Sequence, residues 1–110
     1  MASPDALFYL QHMLDNIERI RRWTKDSTME SYRGDTMLRD AVERCLERIS
    51  AASRRVPAEL KASQPHIPWR KVADIGNVLR HEYHDVADSE VWRIVVDDLE
   101  HSEPRSAGER

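Results

Sequence analysis

The sequence predicts an all-α fold, an up-and-down helical bundle of four main helices plus a short helix. Three observations predict it. Apolar residues recur at three- and four-residue steps in four separate stretches. No alternating apolar–polar run is long enough for a strand. Three glycines and five prolines give few breaks, so the connections are short and neighbouring helices run antiparallel. A chain of 110 residues supports one domain.

The first helix starts with Ser3 as N-cap and Pro4 in the first helical position. It runs to about Lys25, with Leu7, Leu10, Leu14 and Ile17 as its apolar stripe. The stretch "DSTMESYRGD" reads as a connector broken at Gly34-Asp35. Asp35 caps a second helix whose inner stripe is Leu38, Val42, Cys45, Ile49, Ala52 and Val56. Pro57 opens a short helical turn, "PAELKAS", and "QPHIP" is a loop because its two prolines leave no room for a helix. Pro68 opens the third long helix, with Val72, Ile75 and Leu79 inward. The fourth runs from about Ser89 to Leu99, capped by Asp88 or Ser89, with Val91, Trp92, Val95 and Leu99 inward. The tail "HSEPRSAGER" has almost no apolar content, so a domain over 1–100 is expected, followed by a disordered tail over 101–110. Trp23, Trp69 and Trp92 are costly to leave in water, and a small bundle buries little area alone. A homodimer is therefore expected.

Composition excludes several classes. Hydrophobic residues at 40% and charged residues at 34% are too apolar for a disordered chain and too charged for a membrane protein. No run of about 18 apolar residues offers a bilayer span, and "MASPDALFYLQHML" lacks the basic start of a signal peptide. Cys45 is the only cysteine, so no intramolecular disulfide forms and a cytoplasmic location is expected. It lies on the inward stripe of the second helix and reads as a small buried apolar residue, not a nucleophile. A net charge of −3 argues against a general nucleic-acid coat but leaves room for a local basic groove.

The polar chemistry concentrates at "NVLRHEYH", residues 77–84. On a helix Asn77, Arg80, His81 and His84 stand at i, i+3, i+4 and i+7 and share one face, away from the Ile75 and Leu79 stripe. Imidazole titrates near neutral pH and can move the 2′-hydroxyl proton of RNA. Guanidinium supplies a fixed charge for a five-coordinate phosphorus. Asn77 can hold a phosphate oxygen or orient the imidazole. The same residues also fit a solvated helix edge, the commoner use of such a pair. His81 and His84 as metal ligands is a weaker reading, since the spacing is i, i+3 and no third ligand is evident. No cofactor is expected.

Taken together, "LDNIERIRRWT" (14–24), "DAVERCLERI" (40–49), "VPAELKASQPHIPWRKV" (56–72) and "GNVLRHEYHDVADSEVWRIVVDDL" (76–99) resemble the HepT-like proteins of the HEPN superfamily, the toxins of HepT–MntA toxin–antitoxin pairs. The resemblance implies a helical homodimer with metal-independent endoribonuclease activity at the dimer cleft and RNA as substrate. It also implies a nucleotidyltransferase (MntA-like) antitoxin as partner. The family's signature is an arginine followed, four to six residues on, by His-x-Tyr. His81 and Tyr83 match the His-x-Tyr part, and Asn77 matches a polar position before the histidine. The arginine position is Gly76 here, which leaves Arg80 to supply the charge. Where the family often has Gly-Glu in its second helix, this chain reads "ISAAS" (49–53). The implied roles are catalysis by Arg80, His81 and Asn77, and AMP transfer by the antitoxin onto Tyr83. The competing reading is an inactive helical module that dimerises and binds a nucleotidyltransferase.

Overall fold

The computed structural model describes residues 4–81 and 84–105, and every regular element among them is helical. They comprise α1 (Pro4–Thr24), α2 (Met29–Gly34), α3 (Thr36–Arg55), α4 (Ala58–Ala62), α5 (Trp69–His81) and α6 (His84–Arg93). After α6 the chain continues through a π turn at Ile94–Asp98 and a 3-10 turn at Glu100–Ser102.

The central element is α3, which packs against α1, α2 and α5. Its start is as expected: the Asp35 side chain accepts from the Leu38 amide at 3.0 Å, satisfying one of the free N–H groups of the first turn. Val42, Cys45, Leu46, Ile49, Ala52 and Val56 are all buried. Each large aliphatic among them contributes roughly 1.5–3 kcal/mol by leaving water. From α1 come Ala6, Leu10, Met13, Ile17 and Ile20. The expected stripe is therefore rotated at its ends. Leu7 is 53% exposed, and Met13 rather than Leu14 fills the core. Both sets of positions satisfy helical spacing, and contact with α3 decides between them. Ser3, the expected N-cap, lies outside the described residues.

Two expectations are corrected. The stretch 26–35 is more than a connector, since it contains α2. Thr28 and Ser31 form a reciprocal capping box, and the helix carries Tyr32 into the core at 0% exposure. The last long helix begins at His84, not near Ser89. Asp88 and Ser89 are interior residues that join α6 to α2 and α3. The Arg33 guanidinium donates to Ser89 Oγ at 2.8 Å, and Arg39 lies 3.9 Å from the buried Asp88 carboxylate. Short polar side chains that resemble caps are here tertiary partners. No proline or glycine in 84–93 interrupts the helix.

The π turn explains how Ile94 and Leu99 are both buried. Residues five apart on a regular α-helix point roughly 140° apart. The Leu99 amide instead donates to the Ile94 carbonyl at 3.1 Å, an i→i−5 bond that turns both side chains inward. Beyond it the chain stays packed as far as Arg105. Ser102 is buried. The Gln64 side chain holds Arg105 by two backbone bonds, of 2.7 and 2.8 Å, and the Glu103 carbonyl lies 2.5 Å from His66 Nε2. Residues 106–110 lie outside the described part.

Burial pushes the Tyr32 hydroxyl pKa upward, with Glu43 and Asp88 adding to it. Burial also raises the Cys45 thiol. Both groups keep their protons longer in the folded chain than in the unfolded one. Stability is then complete below about pH 8.5, the ordinary thiol value, and falls as pH rises above it. Chemical unfolding from pH 7 to 10 should show this decline, and Cys45→Ala should remove its first limb. Among the described residues the Tyr32 hydroxyl has no hydrogen-bond partner. Tyr32→Phe is therefore expected to raise stability by about 1 kcal/mol, read from the urea midpoint. A loss of that size would show that the oxygen is satisfied.

Candidate functional site

The helix that carries the 77–84 cluster is fixed against α3 at one carbonyl. Ser50 Oγ and Arg54 Nη2, both on α3, donate to the Ala73 carbonyl of α5 at 2.9 and 2.6 Å. Ser50 is fully buried, whereas Arg54 reaches in from the exposed side. These bonds place the next turn of α5, with Gly76, beside the last turn of α3.

Along the exposed edge of α5 the side chains form a chain of hydrogen bonds. Asn77 Nδ2 donates to Asp74 Oδ1 at 2.7 Å. Arg80 Nη2 donates to Asn77 Oδ1, also at 2.7 Å. The Asn77 amide is thereby engaged on both sides, and its contact is with Arg80. His81 closes α5. Its side chain, the side chain of His84 and all of Tyr83 lie outside the described residues. The structure thus brings Asn77 and Arg80 together and carries the backbone directly on to His81.

Gly76 is buried, and no residue of the described chain has a positive φ. Its lack of a side chain therefore serves space, not backbone conformation. A Cβ placed there would stand 3.2 Å from Arg80 Nη1, 3.4 Å from Arg54 Nη2 and 3.7 Å from Ser50 Oγ. Two guanidiniums from different helices thus close on one point. Neither makes an ion pair with a described carboxylate. Like charges repel in such an arrangement, and an anion between them reverses the sign. From sequence, Arg54 is one of five arginines on its helix, with Arg39, Arg44, Arg48 and Arg55, that read chiefly as a solvated face and only secondarily as phosphate binders, and it lies more than twenty residues from the cluster. The pair Arg54-Arg55 ending the second helix was the available signal.

Beside this point an open groove of about 670 Å³ is lined by Arg54, Arg70, Lys71, Asp74 and Asn77. Its lining is mainly basic in a chain of net negative charge. A second open hollow, of about 700 Å³, lies between the end of α1 and the last helical segment and includes Arg21, Arg22, Lys25 and Trp92. It has a comparable volume but contains none of the residues from 77 to 84, so the chemistry points to the first.

The family model for HepT-like ribonucleases matches residues 13–106. This chain belongs to the HepT-like ribonuclease family. A protein of Thermococcus cleftensis named as a probable ribonuclease HepT is 34% identical over 91 residues, covering 83% of each chain. A Methanocaldococcus jannaschii protein provisionally named an RNase is 29% identical over 99 residues, covering 90% of this chain and 91% of that one. A longer protein of the same organism is named as a gamma-glutamylcyclotransferase joined to a provisional RNase. It is 35% identical over 95 residues, which are 86% of this chain but 43% of the relative. No solved structure matches. The HepT-like assignment agrees with the helical fold.

Glycine inside a helix costs roughly 0.5–1 kcal/mol relative to alanine. The atoms that an added methyl would meet at Gly76 are mainly the ends of flexible side chains. Gly76→Ala should therefore raise folding stability by about 0.5–1 kcal/mol, measured by chemical unfolding. A clear loss would mean that the Arg54 and Arg80 guanidiniums cannot yield.

Proposed function

We propose that this HepT-like chain is the endoribonuclease toxin of a toxin–antitoxin pair. It cleaves RNA without a metal, at a cleft formed between two copies. Family membership supports ribonuclease chemistry, and the observation that carries the local reading is the Asn77–Arg80 pair set directly before His81.

In the proposed reaction His81 accepts the proton of the RNA 2′-hydroxyl. O2′ bonds to the adjacent phosphorus, and the P–O5′ bond breaks. The leaving oxygen takes a proton from an imidazolium, supplied by the second His81 of the dimer. A cyclic phosphate and a free 5′-hydroxyl result. Arg80 neutralises charge on the nonbridging oxygens as phosphorus becomes five-coordinate. Asn77 orients Arg80 through its amide oxygen. Arginine suits this role because it stays protonated and presents its donors as a rigid fork.

Two copies are needed for one imidazole to act as base and another as acid, and this is the chemical argument for a homodimer. Exposed Leu7, Phe8, Trp23 and Val96 leave apolar surface for association. The proposed partner is a nucleotidyltransferase antitoxin that transfers AMP to Tyr83. A bulky anion two residues from His81 would obstruct RNA and offset the Arg80 charge. Among the described residues no helix is long and apolar enough to cross a membrane, and a cytoplasmic site of action is part of the proposal. Gly76 favours one other reading, a non-catalytic module that binds the nucleotidyltransferase, because the signature arginine is missing there.

Purified chain should cut single-stranded RNA at neutral pH equally well with and without EDTA. His81→Ala should lower the rate at least 100-fold while leaving the melting temperature unchanged. Intact RNA after incubation with the wild type, alongside a stable nucleotidyltransferase complex, would select the binding module. Incubation with the nucleotidyltransferase and ATP should add one AMP mass to the peptide containing Tyr83, and Tyr83→Phe should abolish the addition.

A further inference from the structure

We infer that Arg54 and Arg80 form a phosphate-binding pair, with a phosphodiester of the RNA strand seated over Gly76. This assignment takes its ligand class from the ribonuclease reading. It brings α3 into the site and gives a role to a residue outside the 77–84 cluster.

Three observations converge on it. Guanidinium nitrogens of the two arginines approach the empty Cβ position of Gly76 from different helices, at 3.4 and 3.2 Å. The side-chain and backbone oxygens that the two guanidiniums already meet are neutral: Arg80 donates to the Asn77 amide oxygen and Arg54 to the Ala73 carbonyl. Neither arginine lies within ion-pair distance of a described carboxylate. Finally, the groove lined by Arg54, Arg70 and Lys71 opens beside the pair, so a strand whose phosphate rests there has a basic path for the neighbouring nucleotides.

The adjacent Arg55 provides the contrast. It turns the other way, with Nη1 donating to the Tyr9 hydroxyl at 3.2 Å and its guanidinium 5.7 Å from the Tyr9 ring centre. One side chain of the pair faces α5 and the other faces α1. Arg54 also holds the Ala73 carbonyl through Nη2. Its remaining N–H groups are the ones assigned to phosphate, each arginine offering a forked pair of donors to the nonbridging oxygens. A methyl at residue 76 would press on both guanidiniums, at 3.2 and 3.4 Å, and change the spacing with which they meet the anion.

A short 2′-O-methyl oligoribonucleotide tests this, because it carries the phosphates but cannot be cut. Affinity is measured by fluorescence anisotropy across a salt series. Arg54→Gln should weaken binding about tenfold and flatten the slope of log affinity against log salt by about 0.7, the value for one lost single-strand phosphate contact. Arg54→Lys should recover the slope. Arg55→Gln removes the same charge one residue along and should keep the wild-type slope. Gly76→Ala retains both arginines and should still weaken binding. The assignment falls if Arg54→Gln and Arg55→Gln behave alike, or if the wild type does not bind the probe. Cleavage by the wild type with Arg54-independent binding would sink this assignment alone. Arg54-dependent binding without cleavage would sink the ribonuclease reading alone.

Discussion

The burial of the inner stripe of α3 is the constraint from which the other positions follow. Its aliphatic residues, Val42, Leu46 and Ile49 among them, have 0% exposure, and they are held between α1 on one side and α5 on the other. Toward the end of the stripe the residues become small: Ser50, Ala52 and Ser53. This taper lets α5 approach closely enough for Ser50 to reach the Ala73 carbonyl. A large side chain at residue 50 would separate the helices and move the whole exposed edge of α5. The hydroxyl is also internally consistent with burial, since it has a partner at 2.9 Å. A buried polar group without one costs roughly 1–3 kcal/mol.

A second, polar set of contacts positions α6, and with it the segment on the far side of Tyr83. Arg33 meets Ser89, and Arg39 stands beside Asp88. The π turn then aligns a small ionic network. Arg93 contacts Glu90 at 2.6 Å and Asp98 at 3.1 Å, and Lys71 of α5 lies 3.5 Å from Asp98. The bond to Glu90 holds that carboxyl below the usual carboxylate range. Individually these half-exposed pairs contribute little to stability. As a set they link the end of α6 to the start of α5.

Much of this arrangement was legible in the sequence. The four apolar stripes, the Asp35 cap and the burial of Cys45 follow from helical periodicity and elementary cap chemistry. Element existence was clearer than register. Leu7 and Leu14 yielded their expected core places to Ala6 and Met13 because two registers of α1 satisfy the same spacing. Helix α2 was hidden because "DSTMESYRGD" is polar apart from Met29 and Tyr32, and Tyr32 needs tertiary contacts to justify its burial. The start of α6 was misplaced because Asp88 and Ser89 carry cap chemistry that the fold uses between helices. The π turn had no local signal. At the site, Asn77 and Arg80 were readable as an i, i+3 pair. The approach of Arg54 was not, since it depends on how α3 and α5 pack.

Gly76 is the position at which local and global preferences disagree. Helix propensity disfavours glycine there, and no unusual backbone angle requires it. The family resemblance points to arginine at that place. Arginine at residue 76 would bring its own charge but would fill the space that Arg54 and Arg80 now approach. Glycine leaves that space open and lets the charge arrive from two helices. Charge delivered this way depends on the contact between α3 and α5, through the Ala73 carbonyl and the small residues at 50–53. The geometry of the anion seat is thus tied to the integrity of the core. A core variant that shifts α5 by a fraction of an ångström would change the spacing of the two guanidiniums without touching either one.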